Sequence, residues 1–571
     1  MKRMLALTLV LCLLLSGCWA VPWALEGLRA WKSSGAPAGA FDPTETPAGE
    51  QTSAPTAAPS GELRFSELPY VRPDMDDFQG LVDGLCQEAA SSRDADGLLD
   101  RLFEYYDAYD EFYTMLSLAD IRYSLDLTDE FYAGEYAWLL EQSAQVDKSL
   151  DDVYAALADS PAASRLETLY FGPGFLDDYR REEGEPDVWT EGFTSLLTRE
   201  ANLQAQYYDA LEELPPETAW NDYDKARELL GPVLLELVSV RRELAQAAGY
   251  PDYESFAWDW YYMRDYTPEE VEGYLEEVRR ELVPLYRELW SSNFYWEVYT
   301  GTYTPEDCLA YLSSAVENMG GTALEAWALM EARELMDIGP GANKYLGSFE
   351  VYLTTFGVPF VFLYPSGDVS DLSALAHEFG HFANDYASEG SYLSADTAEL
   401  MSQGMEFLAA AYATAPEAAV PKVRRSLMAE CLSTFVEQSA YYTFEKELYA
   451  LENPTLEDVD ALYAQVAGEY GFDAVGWEPG EWATVPHFYT QPFYILGYVF
   501  SADGALQLYR LESRSAGQGL ALYEELLPQW EDYGFVDFLE QNGLKSPFGE
   551  GHLKELAGCL KEELALRGAG E

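Results

Sequence analysis

The residues with the most definite chemical potential are two histidines spaced four apart, in His377-Glu378-Phe379-Gly380-His381. On a helix, positions i and i+4 lie on one face, so both imidazoles reach a single divalent ion, with Glu378 beside it rather than bound to it. The chain has four histidines and 100 acidic residues in 571. A five-residue coincidence of this kind is expected in roughly 0.2% of such chains. Catalytic zinc takes three protein ligands and keeps one position open. Glu399, in Asp396-Thr397-Ala398-Glu399-Leu400-Met401-Ser402-Gln403, is the candidate third ligand. Spacing alone leaves two other readings. Asp396 and Glu399 suit the start of a helix. Glu406, seven residues after Glu399 and on the same helical face, is an alternative ligand, although it better suits the task of orienting a ligand histidine. A metal lowers the pKa of its bound water, and Glu378 is placed to take that water's proton and return it to a leaving amine. This is the chemistry of peptide hydrolysis.

Such a reaction needs hydrogen-bond donors waiting for the oxyanion. His487 opens the run His487-Phe488-Tyr489-Thr490-Gln491-Pro492-Phe493-Tyr494-Ile495-Leu496-Gly497-Tyr498. Read as a largely helical segment with Pro492 near its first turn, it puts Tyr494 and Tyr498 on the face of His487. The competing reading is an aromatic stripe in a core, in a chain with 42 Tyr. The fourth histidine, His552, has no motif around it and reads as a surface residue.

These residues need a helix to hold them. Leu372, Leu375, Ala376, Phe379, Phe382 and Ala383 form an apolar stripe around the histidines, and Asp371 is a candidate cap. Gly380 weakens that helix by up to about 1 kcal/mol relative to Ala, so something must pack closely there. Residues 99–120 carry Leu, Phe and Tyr at helical spacing. Thr267-Pro268-Glu269-Glu270 and Thr304-Pro305-Glu306-Asp307 are helix starts with a capping Thr and a first-position Pro. One segment departs from helix: Phe349–Thr355 and Val358–Tyr364, rich in Val, Phe and Tyr around Phe356-Gly357, predict a β-hairpin. Pro359 predicts that the second strand lies at an edge, where an extended peptide can pair with it.

Composition limits the partners. A formal net charge of −66 excludes nucleic acid and basic-patch binding to anionic lipid, both of which rest on Lys and Arg. Met1-Lys2-Arg3 and the apolar run 4–15 predict a leader too short to span a membrane. Its end, Leu15-Ser16-Gly17-Cys18, resembles a bacterial lipobox, in which Cys18 would carry the lipid. Residues 18–62, with a Pro-, Ala- and Thr-rich stretch over 33–62, bury too little apolar surface to fold and predict a tether of roughly 30 Å. The peptidase body follows over 63–571, with a mainly helical lobe at 63–345 and a zinc-binding region at 346–571. Cys86, Cys308, Cys431 and Cys559 show no C-x-x-C spacing and read as isolated thiols.

Together, His377-Glu378-Phe379-Gly380-His381, Glu399 with Ser402-Gln403 and Glu406, and Pro486-His487-Phe488-Tyr489 with Phe493-Tyr494 resemble the M3 family of zinc oligopeptidases, its oligoendopeptidase F branch in particular. The resemblance implies a mainly α, two-lobed ellipsoid around an HExxH zincin core, with a small hairpin or sheet and a deep channel that admits short unfolded peptides. It implies one Zn2+ per chain on His377, His381 and Glu399, Glu378 as the catalytic acid/base, and His487 with a following Tyr at the substrate carbonyl. Asn384 stands where many relatives have a further histidine, and the lipoprotein leader departs from a usually cytoplasmic branch. The expectation is a monomeric zinc endopeptidase on the outer side of a bacterial membrane, held there by its lipid alone. The alternatives are an exopeptidase of another HExxH family and a peptide-binding lipoprotein without catalysis.

Overall fold

In the computed structural model, the described residues are 63–567 apart from 178, 181–188, 212, 213, 215–222, 346, 392 and 530–533. The expected leader, Cys18 and the tether lie outside them. The protein is mostly helical with one three-stranded sheet, and among the described residues no helix is long and apolar enough to cross a membrane. Internal contacts divide it into two units. The break falls at 190–191, not at 345–346. Residues 191–345 share a core with the zinc region: buried Arg241, for instance, donates to the Phe488 carbonyl at 3.0 Å.

The N-terminal unit is built on α1 (Met75–Ala89), α2 (Ala95–Leu125) and α3 (Glu130–Ala158). Asp74, Asp94 and Asp129 cap these helices, each carboxylate accepting first-turn N–H groups that have no partner inside the helix. Tyr105, Tyr106, Tyr109, Phe112 and Tyr113 bury one face of α2. Their hydroxyls are matched: Tyr105 with Ser149 at 2.8 Å, Tyr106 with Tyr154 at 3.0 Å, and Tyr113 with Asp147. Tyr352–Val358 groups with this unit, and the Thr355 N–H donates to Thr114 Oγ1 at 3.0 Å.

In the larger unit the two Thr-Pro starts form as expected. Thr267 caps Pro268–Glu277 and Thr304 caps Pro305–Met319, each with a reciprocal capping box. The sheet is β1 (Met336–Ile338), β2 (Ser348–Leu353) and β3 (Val358–Leu363), in the order β1-β3-β2. The hairpin forms, but its second strand is central and fully buried, and β2 is at the edge. Pro359 is tolerated there because β1 pairs in parallel only from Met336 opposite Val361 onward. The missing N–H therefore faces no β1 partner. The site rests on α4 (Ser370–Ser388), α5 (Ala395–Tyr412) and α6 (Ile495–Arg514). Asp371 does not cap α4. Its carboxylate accepts from Ser366 N and Oγ, both at 2.8 Å, and from Gly367 N at 2.6 Å, which ties down the preceding loop.

Burial raises several carboxyls, Asp147 and Glu430 to about 7 and Glu445 to about 8. From about pH 8 down to about pH 6.5 the folded protein takes up protons there that an unfolded chain, titrating near 4, does not bind. The stability of the metal-free protein should therefore rise as pH falls across this window. Below it, His381 and His487, each held by burial at about 4, oppose the trend. Thermal melts of chelator-treated protein should show the higher midpoint near pH 6.5, and equal midpoints would contradict this account.

Candidate active site

The apolar stripe of α4 is buried, which turns His377 and His381 to the opposite side one turn apart. Their rings lie 5.1 Å apart and nearly perpendicular, at 79°. Gly380 lets α5 approach: a Cβ there would stand 2.6 Å from Ser402 Cα and 2.8 Å from the Met401 carbonyl oxygen. No side chain fits in that gap, and the approach carries Glu399 to the histidines. Ser394 caps α5 by accepting from the Thr397 N–H at 3.3 Å. Asp396 and Glu399 are therefore free of the capping task, and Asp396 accepts instead from the Tyr266 hydroxyl at 2.7 Å.

The three candidate ligands converge. Glu399 Oε2 lies 3.3 Å from His377 Nε2 and 4.0 Å from His381 Nε2. One ligand atom from each of the three residues falls within 4.8 Å of the others, the span of donors around one small cation. Glu406 is on the far nitrogen of His377, Oε1 to Nδ1 at 2.8 Å. With Nδ1 so engaged, Nε2 is the atom presented to the site, and the position of Glu406 suits orienting the ring better than binding an ion beside it. Glu399 is itself held by the Tyr494 hydroxyl at 2.8 Å on Oε1 and by Ser402 Oγ at 3.2 Å on Oε2.

Electrostatics suit a cation. Burial works against the charged form of Glu399, but the His377 hydrogen bond and the two imidazoles outweigh it and hold the carboxyl at about 2. Burial holds His381 neutral, at about 4, so its lone pair is available to a metal. Glu378, only 9% exposed, is pushed up to about 7, chiefly by burial. Two imidazoles and one ionised carboxylate form a donor set that fits zinc.

His487, Tyr494 and Tyr498 are grouped as expected, by a different route. The segment is not one helix. A single turn, His487–Thr490, is followed by a break at Gln491–Phe493, and α6 begins after Tyr494. Phe493 takes a left-handed φ of 68°. The ring centroids lie 6.0 Å apart for His487–Tyr494, 5.8 Å for His487–Tyr498 and 5.3 Å for Tyr494–Tyr498. Burial holds His487 neutral, at about 4. His552 is not at the surface. It is buried at 3% exposure, with Nε2 2.6 Å from Asp503 Oδ1. That partner is 49 residues away on α6, so no local signal announced it. Asn384 donates to the Leu527 carbonyl at 2.8 Å and takes no part in the ligand cluster. Sequence reasoning missed the side chains beneath the His487–Tyr494 turn. Arg241 donates to the carbonyls of Phe488 at 3.0 Å and Tyr489 at 2.5 Å, and Glu445 accepts the Phe493 N–H at 3.0 Å.

Fold and sequence together define a peptidase. Residues 65–178 match the peptidase M3 N-terminal domain and residues 330–529 match peptidase family M3. The chain carries domains of the M3 peptidases. The same fold is seen in PZ peptidase A with an inhibitor bound, with TM-score 0.77 and 20% identity over 88% of this chain and 99% of that one. A structure assigned to oligoendopeptidase F has TM-score 0.76 and 21% identity over 88% and 99% of the two chains. One so assigned from Bacillus anthracis has 0.75 and 20%, over 88% and 98%. No curated protein matches the chain.

Gly380→Ala should cost about 1–3 kcal/mol through overpacking, more than the helix propensity it gains, and a rise in the denaturation midpoint would refute the close-approach argument. Glu406→Gln should weaken zinc binding roughly 10- to 100-fold in chelator competition while the protein stays folded, and parental affinity would remove Glu406 from the metal's support.

Proposed function

We propose that this chain is a zinc endopeptidase of the oligoendopeptidase F type that hydrolyses short unfolded peptides. The observation that supports it most is the meeting of His377 Nε2, His381 Nε2 and Glu399 Oε2 beside Glu378. His377, His381 and Glu399 would hold one zinc, which when bound supplies Lewis acidity toward water and the scissile carbonyl. Glu378 takes a proton from the attacking water and passes it to the leaving amine. Its burial suits both halves of that task, because a carboxyl near neutrality exchanges protons at little cost in either direction. His487, neutral, offers a ring N–H and Tyr498 a hydroxyl to the oxygen on which negative charge develops, whereas the single O–H of Tyr494 is donated to Glu399 and steadies that carboxylate. Glu406 keeps His377 in the tautomer the metal needs.

The lipobox-like Leu15-Ser16-Gly17-Cys18 places the enzyme, in this reading, on the outer side of a bacterial membrane as a monomer on a lipid tether. Cys18→Ala should release it from the membrane fraction, and retention there would sink the lipid-anchor reading.

The deciding measurement uses purified protein on mixed peptides, with chelator, with zinc restored, and beside Glu378→Gln. The variant should keep its zinc and lose about 10²–10⁴-fold or more in turnover. Activity equal to the parent's would remove Glu378 from the mechanism. Peptides blocked at both ends should still be cut; cleavage only of free-ended peptides would indicate an exopeptidase, and none at all a binding protein.

A further inference from the structure

Beneath the turn that delivers Tyr494 lies a guanidinium with no solvent contact. Arg264 has a fully buried side chain, 0% exposed. The rings of Tyr262, Trp258 and Tyr266 surround it, with centroids 4.6, 5.5 and 5.9 Å from its Cζ. Nη2 donates to the Phe493 carbonyl at 2.9 Å and lies 3.6 Å from Asp396 Oδ1. Nε and Nη1 have no hydrogen-bond partner among the described residues. For stability alone this is a poor arrangement, since buried donors left unsatisfied are costly and apolar replacements of buried ion pairs are often at least as stable. What the arrangement does supply is a link. Phe493 immediately precedes Tyr494, and Asp396 sits in the first turn of α5, one turn before Glu399.

The other contacts of the turn make that link matter. A left-handed φ at a bulky aromatic is uncommon and persists only where its surroundings fix it. Here Tyr262 Oη donates to the Pro492 carbonyl at 2.8 Å, Glu445 accepts the Phe493 N–H at 3.0 Å, and Arg264 takes the Phe493 carbonyl. Against the same oxygen of Asp396, a Cβ on Gly497 would stand 2.6 Å from Oδ1, so α6 also starts in contact with that carboxylate. We infer that Arg264 is a positioning residue of the active site: by joining the Phe493 carbonyl to Asp396 it sets the Tyr494 hydroxyl on Glu399, and so fixes the carboxylate ligand. This rests on the zinc-peptidase reading above.

The test is a double-mutant cycle of Arg264→Met and Tyr494→Phe in the full protein, read by zinc affinity in chelator competition and by kcat and KM on a peptide. Arg264→Met should weaken zinc binding roughly 10-fold and lower kcat with KM within about threefold, and the double variant should be no worse than the poorer single one. Arg264→Lys, which keeps one donor for the Phe493 carbonyl, should recover part of both losses. Losses that multiply in the double variant, or parental zinc affinity and kcat in Arg264→Met, would overturn the assignment. Should Arg264→Met fail to fold, Arg264→Lys takes its place in the cycle under the same criteria. A parent that binds zinc but cuts no peptide would defeat the peptidase reading alone, because the affinity arm still decides the role of Arg264; a parent that binds no zinc would remove both.

Discussion

The site depends on how closely two helix backbones approach. At Gly380 the histidine-bearing helix α4 and the helix α5 that follows it leave no room for even a methyl group, with Ser402 Cα 2.6 Å from where one would be. That contact is why a carboxylate from one helix stands against imidazoles from another. Long, flexible side chains could bridge a wider gap, but they would lose more conformational freedom in doing so. Buried Glu399, on a close-packed helix, is ordered by hydrogen bonds to both of its carboxylate oxygens. Ser402 takes part twice, as the backbone that Gly380 admits and as a hydroxyl on Glu399.

Around that contact the protein concentrates acids in a chain that already carries a formal −66. The environments separate their roles. Glu399 is held ionised by its imidazole neighbours, whereas the Glu378 carboxyl, next to His377, is pushed up to about 7 by burial. Glu406 faces the outer nitrogen of His377 rather than the space where the three ligands meet. Three carboxylates within a few turns thus differ in charge and in what they face, through surroundings and not through residue type.

Much of the site was legible because its signals are local. The HExxH spacing, the Gly within it and the Thr-Pro helix starts each concern a few neighbouring residues, and each forms as read. Most of the failures involve partners outside the local run. Pro359 suggested an edge strand, but a three-residue parallel strand more than twenty residues upstream makes its strand central. His552 looked exposed because nothing near it in sequence hints at Asp503. Asp371 lies where a cap belongs, yet its carboxylate is used by the loop before the helix. Arg264 was invisible for the same reason: its meaning depends on the conformation of Phe493, which no residue preference around it foretells.

The interruption at Gln491–Phe493 changes what its aromatic neighbours can address. Seven residues of unbroken helix would set His487 and Tyr494 roughly 10 Å apart along a rod, each serving its own stretch of groove. The reversal stacks their rings at 6.0 Å instead, so side chains from two backbone segments stand face to face.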